Sequence, residues 1–251
     1  MIAFNEESLL AGFVIFCRVG LCLAFAPGFS SPRITFRVRL FIAIGLTIAL
    51  CPAFIQPALE KMRDADVVRL AQVIATECLI GAAIGLLARF MVASLETMAV
   101  AIAMATSMGS VLGGRIDENE TMPEFASLIV LTVTTLMFVT DLHWEIIRAV
   151  AESYRAFPLG DGLPAAYALR RLGETLSFAF QISLRIASPF LVFGLVANFA
   201  FGLVNKVAPQ ISVYFVSVPF LICCGMALAY ITSGNLLTLF MAAFADWLKR
   251  G

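Results

Sequence analysis

Unbroken apolar sequence governs what this chain can fold into. Such runs occur at about Leu9–Phe25, Val38–Cys51, Val67–Phe90, Met91–Leu112, Ser127–Val139, Leu172–Val204 and Ser212–Leu248. Proline-, glycine- and charge-bearing stretches separate them at Pro27–Arg39, Pro52–Asp66, Gly113–Glu124 and Pro158–Arg171. None alternates apolar with polar residues as a barrel strand must. A backbone in so apolar a setting has to satisfy its own N–H and C=O groups, and a helix does this within one segment. The expected fold is an all-α polytopic membrane-associated protein of about six to eight long, kinked helices arranged in hairpins.

Composition agrees. Of 251 residues, 61% are hydrophobic and 14% charged, with a mean hydropathy of +0.96. A soluble domain lies nearer about half apolar and about a quarter charged. The formal net charge is zero, so nothing points to nucleic acid or an anionic surface. Met1–Glu7 carries Glu6 and Glu7 but no base. That is the wrong sign for a cleavable signal peptide, so the first apolar run is expected to persist. Arg33, Arg37 and Arg39 put the first loop on the cytoplasmic side.

The run lengths are uneven. A span needs about 20 residues to cross a hydrocarbon core of about 30 Å. Val38–Cys51, taken to stop at Pro52, and Ser127–Val139 rise only about 20 Å at ~1.5 Å per residue. Leu172–Val204 and Ser212–Leu248 exceed one span, and Pro189 and Pro219 should kink them. Such lengths suit helices fitted to protein neighbours. His143–Phe157 differs again: Trp144, Ile147, Val150, Tyr154 and Phe157 share a face opposite Glu145, Arg148, Glu152 and Arg155. It reads either as an amphipathic helix at an interface or on a partner, or as a short surface helix.

Four ionisable residues, Arg18, Glu77, Glu96 and Arg185, lie inside apolar stretches. Each costs about 2.5–3.5 kcal/mol at a bilayer centre on insertion scales. They are read as buried charges that pair helices or face a subunit interface, with a transport path as the other possibility. Cys17, Cys22, Cys51, Cys78, Cys223 and Cys224 sit in or at the ends of apolar runs without metal spacing. They are expected to be small buried hydrophobes. No cofactor motif and no nucleophile–base or metal set is present, and His143 is the sole histidine. An enzyme is not expected.

Small residues crowd the centre of the chain. Gly81-x-x-x-Gly85 and Gly109-x-x-x-Gly113 flank an alanine-rich segment that also holds Met98, Met104 and Met108. Small residues at this spacing let helix backbones approach closely. Gly113, Gly114, Arg115 and Asp117 follow directly, and paired glycines can cap a helix and release a loop. That loop is either an ordinary outer connection or a plug that closes a pore.

Ordered local motifs extend this reading. An arginine in the first helix, then Ala26-Pro27-Gly28-Phe29, Arg37-Val38-Arg39 and an apolar run to Pro52 resemble the start of the FliR family. Thr106-Ser107-Met108-Gly109, Asp141-Leu142-His143, Glu152-Ser153-Tyr154 and Phe157-Pro158 continue the resemblance, as do Phe201–Ile211 and Val218-Pro219. The family comprises export-gate proteins of flagellar type III secretion, with injectisome counterparts in the SctT family.

The resemblance implies one export-gate unit over 1–251. Residues 1–165 would be FliP-like and 166–251 a FliQ-like helical hairpin that turns at Lys206, Pro209 and Gln210. It implies assembly with FliP- and FliQ-type subunits and with FlhB- and FlhA-type proteins in the bacterial inner membrane at the flagellar basal body. Unfolded substrates would pass through, and the loop from Met108 and Gly109 to Met122 would serve as the plug. The alternative is a self-contained permease for a small solute, held by Glu77, Glu96 and Arg185.

Overall fold

The computed structural model describes residues 6–31, 34–62, 66–109, 122–210 and 212–250. Those residues form seven helices: α1 (Glu6–Phe25), α2 (Phe36–Met62), α3 (Val67–Ala105), α4 (Glu124–Val139), α5 (Leu142–Ala156), α6 (Ala165–Val207) and α7 (Val213–Arg250). No strand occurs among the described residues. Among them, α1, α2, α3, α6 and α7 are long and apolar enough to cross a membrane, and α4 with α5 forms a sixth candidate if counted as one broken span.

Two helices differ from their expected lengths. α2 runs through Pro52 and Pro57 without stopping and reaches 27 residues, so Val38–Cys51 is the body of a full-length span rather than a short helix. A proline removes one backbone hydrogen bond, and an apolar helix tolerates that loss when continuing keeps all the others. The runs Val67–Phe90 and Met91–Leu112 merge into α3, whose 39 residues end at Ala105. α4, at 16 residues, is the one short apolar helix among those described.

The chain forms two compact units. One comprises Met1–Phe90, Thr140–Thr175 and Trp247–Gly251; the other comprises Met91–Val139 and Leu176–Asp246. In the first unit α1 and α2 make a packed hairpin. The intervening turn is itself buried over Ala26–Phe29, and Gly28 takes a φ of 83° there, which costs a residue with a Cβ steric energy and glycine none. Arg89 of α3 donates to Ser30 Oγ at 3.0 Å, fastening this turn to the third helix.

α5 closes the first unit. It buries Leu142, Ile146, Val150, Ser153 and Tyr154, while Trp144 is exposed. The buried stripe is therefore rotated from the face expected from sequence, and its Tyr154 stacks on Phe54 of α2. Asp141, at φ 59°, redirects the chain just ahead of α5. In the second unit Ile102, Ala187 and Phe190 form a buried centre with Met98, Phe125 and Leu228 around it. A buried Ser94–Ser183 hydroxyl contact of 2.9 Å joins α3 to α6 there.

Candidate functional site

The first unit is organised around one charged pair. Gly81 and Gly85 lie on the face of α3 that meets α1. A Cβ on Gly81 would collide with the Arg18 carbonyl, and one on Gly85 would sit 2.5 Å from the Cys22 carbonyl oxygen and 2.9 Å from Phe25 Cβ. The contacts advance together, so α1 and α3 run side by side in the same direction with backbones touching. Side chains longer than hydrogen would hold the helices apart.

This approach brings together a densely hydrogen-bonded ion pair. Arg18 Nε donates to Glu77 Oε2 at 2.6 Å and Nη2 donates to Glu77 Oε1 at 2.9 Å. Arg18 Nη1 donates to Ser153 Oγ at 3.1 Å, and Nη2 also donates to the Phe157 carbonyl at 3.1 Å. The Gly160 N–H donates to Glu77 Oε1 at 3.2 Å. The guanidinium lies 3.9 Å from the centre of the Tyr154 ring, a cation–π placement, and Phe54 stacks with that ring at 4.3 Å. Both charged side chains are 0% exposed. Desolvating two ions costs several kcal/mol each, and only near-complete pairing and hydrogen bonding offset that.

Of the two readings of Arg18, helix pairing is the one this geometry supports: its partner is Glu77 of the same chain. Ser153, Tyr154, Phe157 and Gly160 complete the cluster; the sequence placed Tyr154 and Phe157 on an apolar face and Ser153 in a family motif, but tied none of the four to Arg18 or Glu77. Ser153 was visible as a polar residue within the buried stripe of α5, but its spacing could not indicate Arg18, which lies far away along the chain.

Glu96 and Arg185 belong to the second unit. Glu96 is half-buried and Arg185 is exposed. Among the described residues neither side chain has a hydrogen-bond or ion-pair partner. The cysteines also depart from expectation. Cys17 and Cys22 are buried, Cys51, Cys78 and Cys224 are intermediate, and Cys223 is exposed.

In the second unit α3 ends in a tightly held turn. Thr106 is fully buried and Met108 is 2% exposed. Ser107 takes φ 57°, and the Gly109 N–H reaches back to the Ala103 carbonyl at 3.1 Å. Gly194 of α6 and Gly225 of α7 make room for this turn. A Cβ on Gly194 would lie 2.7 Å from the Ala105 carbonyl oxygen, and one on Gly225 2.8 Å from Thr106 Cβ and 3.1 Å from Met108 Cε. Of the expected plug, Met108 is thus seated in protein and Gly109 is exposed; Gly113, Gly114, Arg115 and Asp117 lie outside the described residues.

Lys206 is in the last turn of α6, and Pro209 and Gln210 form the connection to α7. An open recess there is lined by Phe201, Asn205, Pro209, Gln210 and Tyr214, among others. Phe201 and Phe220 meet edge to face at 5.5 Å, pairing the end of α6 with the start of α7.

Seven helices among the described residues, five of them long and apolar enough to cross a membrane, define a polytopic helical membrane protein. Residues 9–247 match the family described as Bacterial export proteins, family 1. The chain is 28% identical over 215 residues to the flagellar biosynthetic protein FliR of Caulobacter vibrioides, covering 86% of this chain and 85% of the relative. It is 26% identical over 154 residues to FliR of Escherichia coli K12, covering 61% and 58%. With FliR of Pectobacterium carotovorum the identity is 32% over 114 residues, covering 45% and 42%. The chain belongs to this bacterial export family, the FliR family of flagellar export-apparatus components.

Proposed function

We propose that this protein is a non-enzymatic subunit of the protein-conducting export gate of the flagellar type III secretion system, in the bacterial inner membrane. It joins FliP- and FliQ-type subunits, with FlhB- and FlhA-type proteins alongside, and unfolded flagellar proteins pass through the assembly. Residues 1–165 act as the FliP-like part and 166–251 as the FliQ-like hairpin turning at Lys206–Gln210.

The observation that carries this reading is the uncovered apolar surface of helices long enough to span. Only 17% of the α2 window and 11% of the α7 window are buried inside the chain. Phe215, Tyr230 and Ile231 of α7 are largely exposed. Contiguous apolar surface on this scale marks contact with lipid or another protein, and Arg185, exposed and with no side-chain partner among the described residues, favours protein over lipid. The solute-permease alternative is disfavoured because both Glu77 carboxylate oxygens are already committed to Arg18 and Gly160. Coexpression with FliP- and FliQ-type subunits tests the proposal. A stable complex retained through purification supports it, and a chain that stays alone and monomeric in detergent overturns it.

A further inference from the structure

Three arginines stand at the turn between α1 and α2 with no acidic partner among the described residues. Arg39 of α2 donates from Nη2 to the Ser31 carbonyl at 3.3 Å. Arg89 of α3 donates from Nη1 to Ser30 Oγ at 3.0 Å. The two acceptors are consecutive residues, with Cα atoms ~3.8 Å apart, so both guanidiniums meet the same turn. Arg37, in the first turn of α2, is exposed. Arg39 Nε is buried with no hydrogen-bond partner among the described residues.

Neutral acceptors satisfy donors but leave the positive charge standing, unlike the carboxylate that meets Arg18. The start of α2 adds to the imbalance, because its first N–H groups are the positive end of the helix dipole and its first turn holds no acid. The excess is local, since the formal net charge of the chain is zero. Such donors call for an oxyanion, and phosphate is the group that guanidinium pairs with best in both charge and shape.

Position identifies the source of that phosphate. α1 has 20 residues and rises ~30 Å, the thickness of one hydrocarbon core, so the turn after it lies at headgroup level. α3 keeps step, with Gly81 against Arg18 and Gly85 against Cys22, and its next turn brings Arg89 to the end of α1. On α2, Phe41, Ile44 and Ile48 follow Arg37 at helical spacing and are 73%, 40% and 67% exposed. They make an apolar track that starts at the arginines and runs into the core. We propose that Arg37, Arg39 and Arg89 hold the phosphate headgroup of an anionic phospholipid whose acyl chains lie along the Phe41–Ile48 face of α2.

The lipid neutralises the cluster and fixes the depth of the α1–α2 hairpin. The site rests on the packing of the first unit and not on the export-gate proposal, so failure of either leaves the other standing.

The full-length chain is purified in neutral detergent, washed free of lipid, and titrated with phosphatidylglycerol, phosphatidylcholine or inorganic phosphate. Native mass spectrometry counts bound lipid, and the rise in thermal stability with ligand gives the affinity. One phosphatidylglycerol should bind saturably and more tightly than phosphatidylcholine. Arg37 makes no side-chain hydrogen bond among the described residues, so Arg37→Gln tests the site without disturbing the turn. It should weaken phosphatidylglycerol about fivefold, and Arg39→Gln/Arg89→Gln about 30-fold. Arg185→Gln, which removes the same charge elsewhere, should leave the affinity unchanged. Equal binding of the two lipids, or equal affinity in the parent and Arg37→Gln, overturns the proposal. Inorganic phosphate that binds as tightly as phosphatidylglycerol overturns the lipid as occupant and assigns the site to a free anion.

Discussion

Arg18 and Glu77 meet at 2.6 Å with neither side chain exposed, and the cluster around them joins α1, α3, α5 and the segment from Phe157 to Gly160. The asymmetry of buried ion pairs makes this contact informative. Removing one partner strands a charge, whereas replacing both with apolar side chains removes the desolvation cost as well. Glu77→Ala is expected to destabilise the protein by about 3–5 kcal/mol, and the double variant Arg18→Met/Glu77→Leu by much less. Denaturant unfolding of the purified protein in detergent distinguishes the two; equal losses would mean that the pair contributes more than its charges.

The Gly81 contact predicts a steric threshold. Any Cβ at Gly81 collides with backbone, which cannot swing aside as a side chain can. Gly81→Ala is expected to force α1 from α3 and weaken the ion pair, costing more than the few tenths of a kcal/mol typical of a neutral substitution. Gly12→Ala supplies the control, since nothing lies within 4 Å of a Cβ there. Thermal unfolding of the two variants should differ clearly, and matching curves would refute the close packing.

A second steric prediction concerns the seat of the Thr106–Gly109 turn. Gly225→Val should displace Thr106 and crowd Met108, because a Cβ alone would lie 2.8 Å from Thr106 Cβ and 3.1 Å from Met108 Cε, and valine adds two methyl groups beyond it. A cysteine placed at Met108 should then react with a water-soluble maleimide much faster in the Gly225→Val background than in the parent. An unchanged labelling rate would show that the turn holds without its glycine.

The plug reading predicts a leak. Deleting residues 113–120 from the assembled gate should raise the ion permeability of the membrane. Unchanged permeability in vesicles carrying the complete assembly would remove that role from the segment.

Arg185 separates folding from assembly. It is exposed and its side chain has no partner among the described residues, so Arg185→Ala should leave the unfolding free energy of the isolated chain within about 0.5 kcal/mol of the parent. The yield of complex with FliP- and FliQ-type subunits should fall. A variant that melts early but assembles normally would invert the assignment.

Sequence by itself determined the helical class, because unalternating apolar runs leave the backbone no partner but itself. It also determined the family, whose motifs recur in order from Arg18 to Pro219, and it located Gly81 and Gly85 as a place of close packing. Tertiary structure alone decided which charges meet. Arg18, Glu77 and Ser153 come together through the parallel approach of α1 and α3 and the closure of α5, contacts between residues far apart in the chain that no local spacing encodes. It likewise decided that α2 continues through Pro52 and that the buried stripe of α5 turns Trp144 outward. In each case the outcome depended on what packs around the segment, and a run of residues read in isolation carries no record of its neighbours.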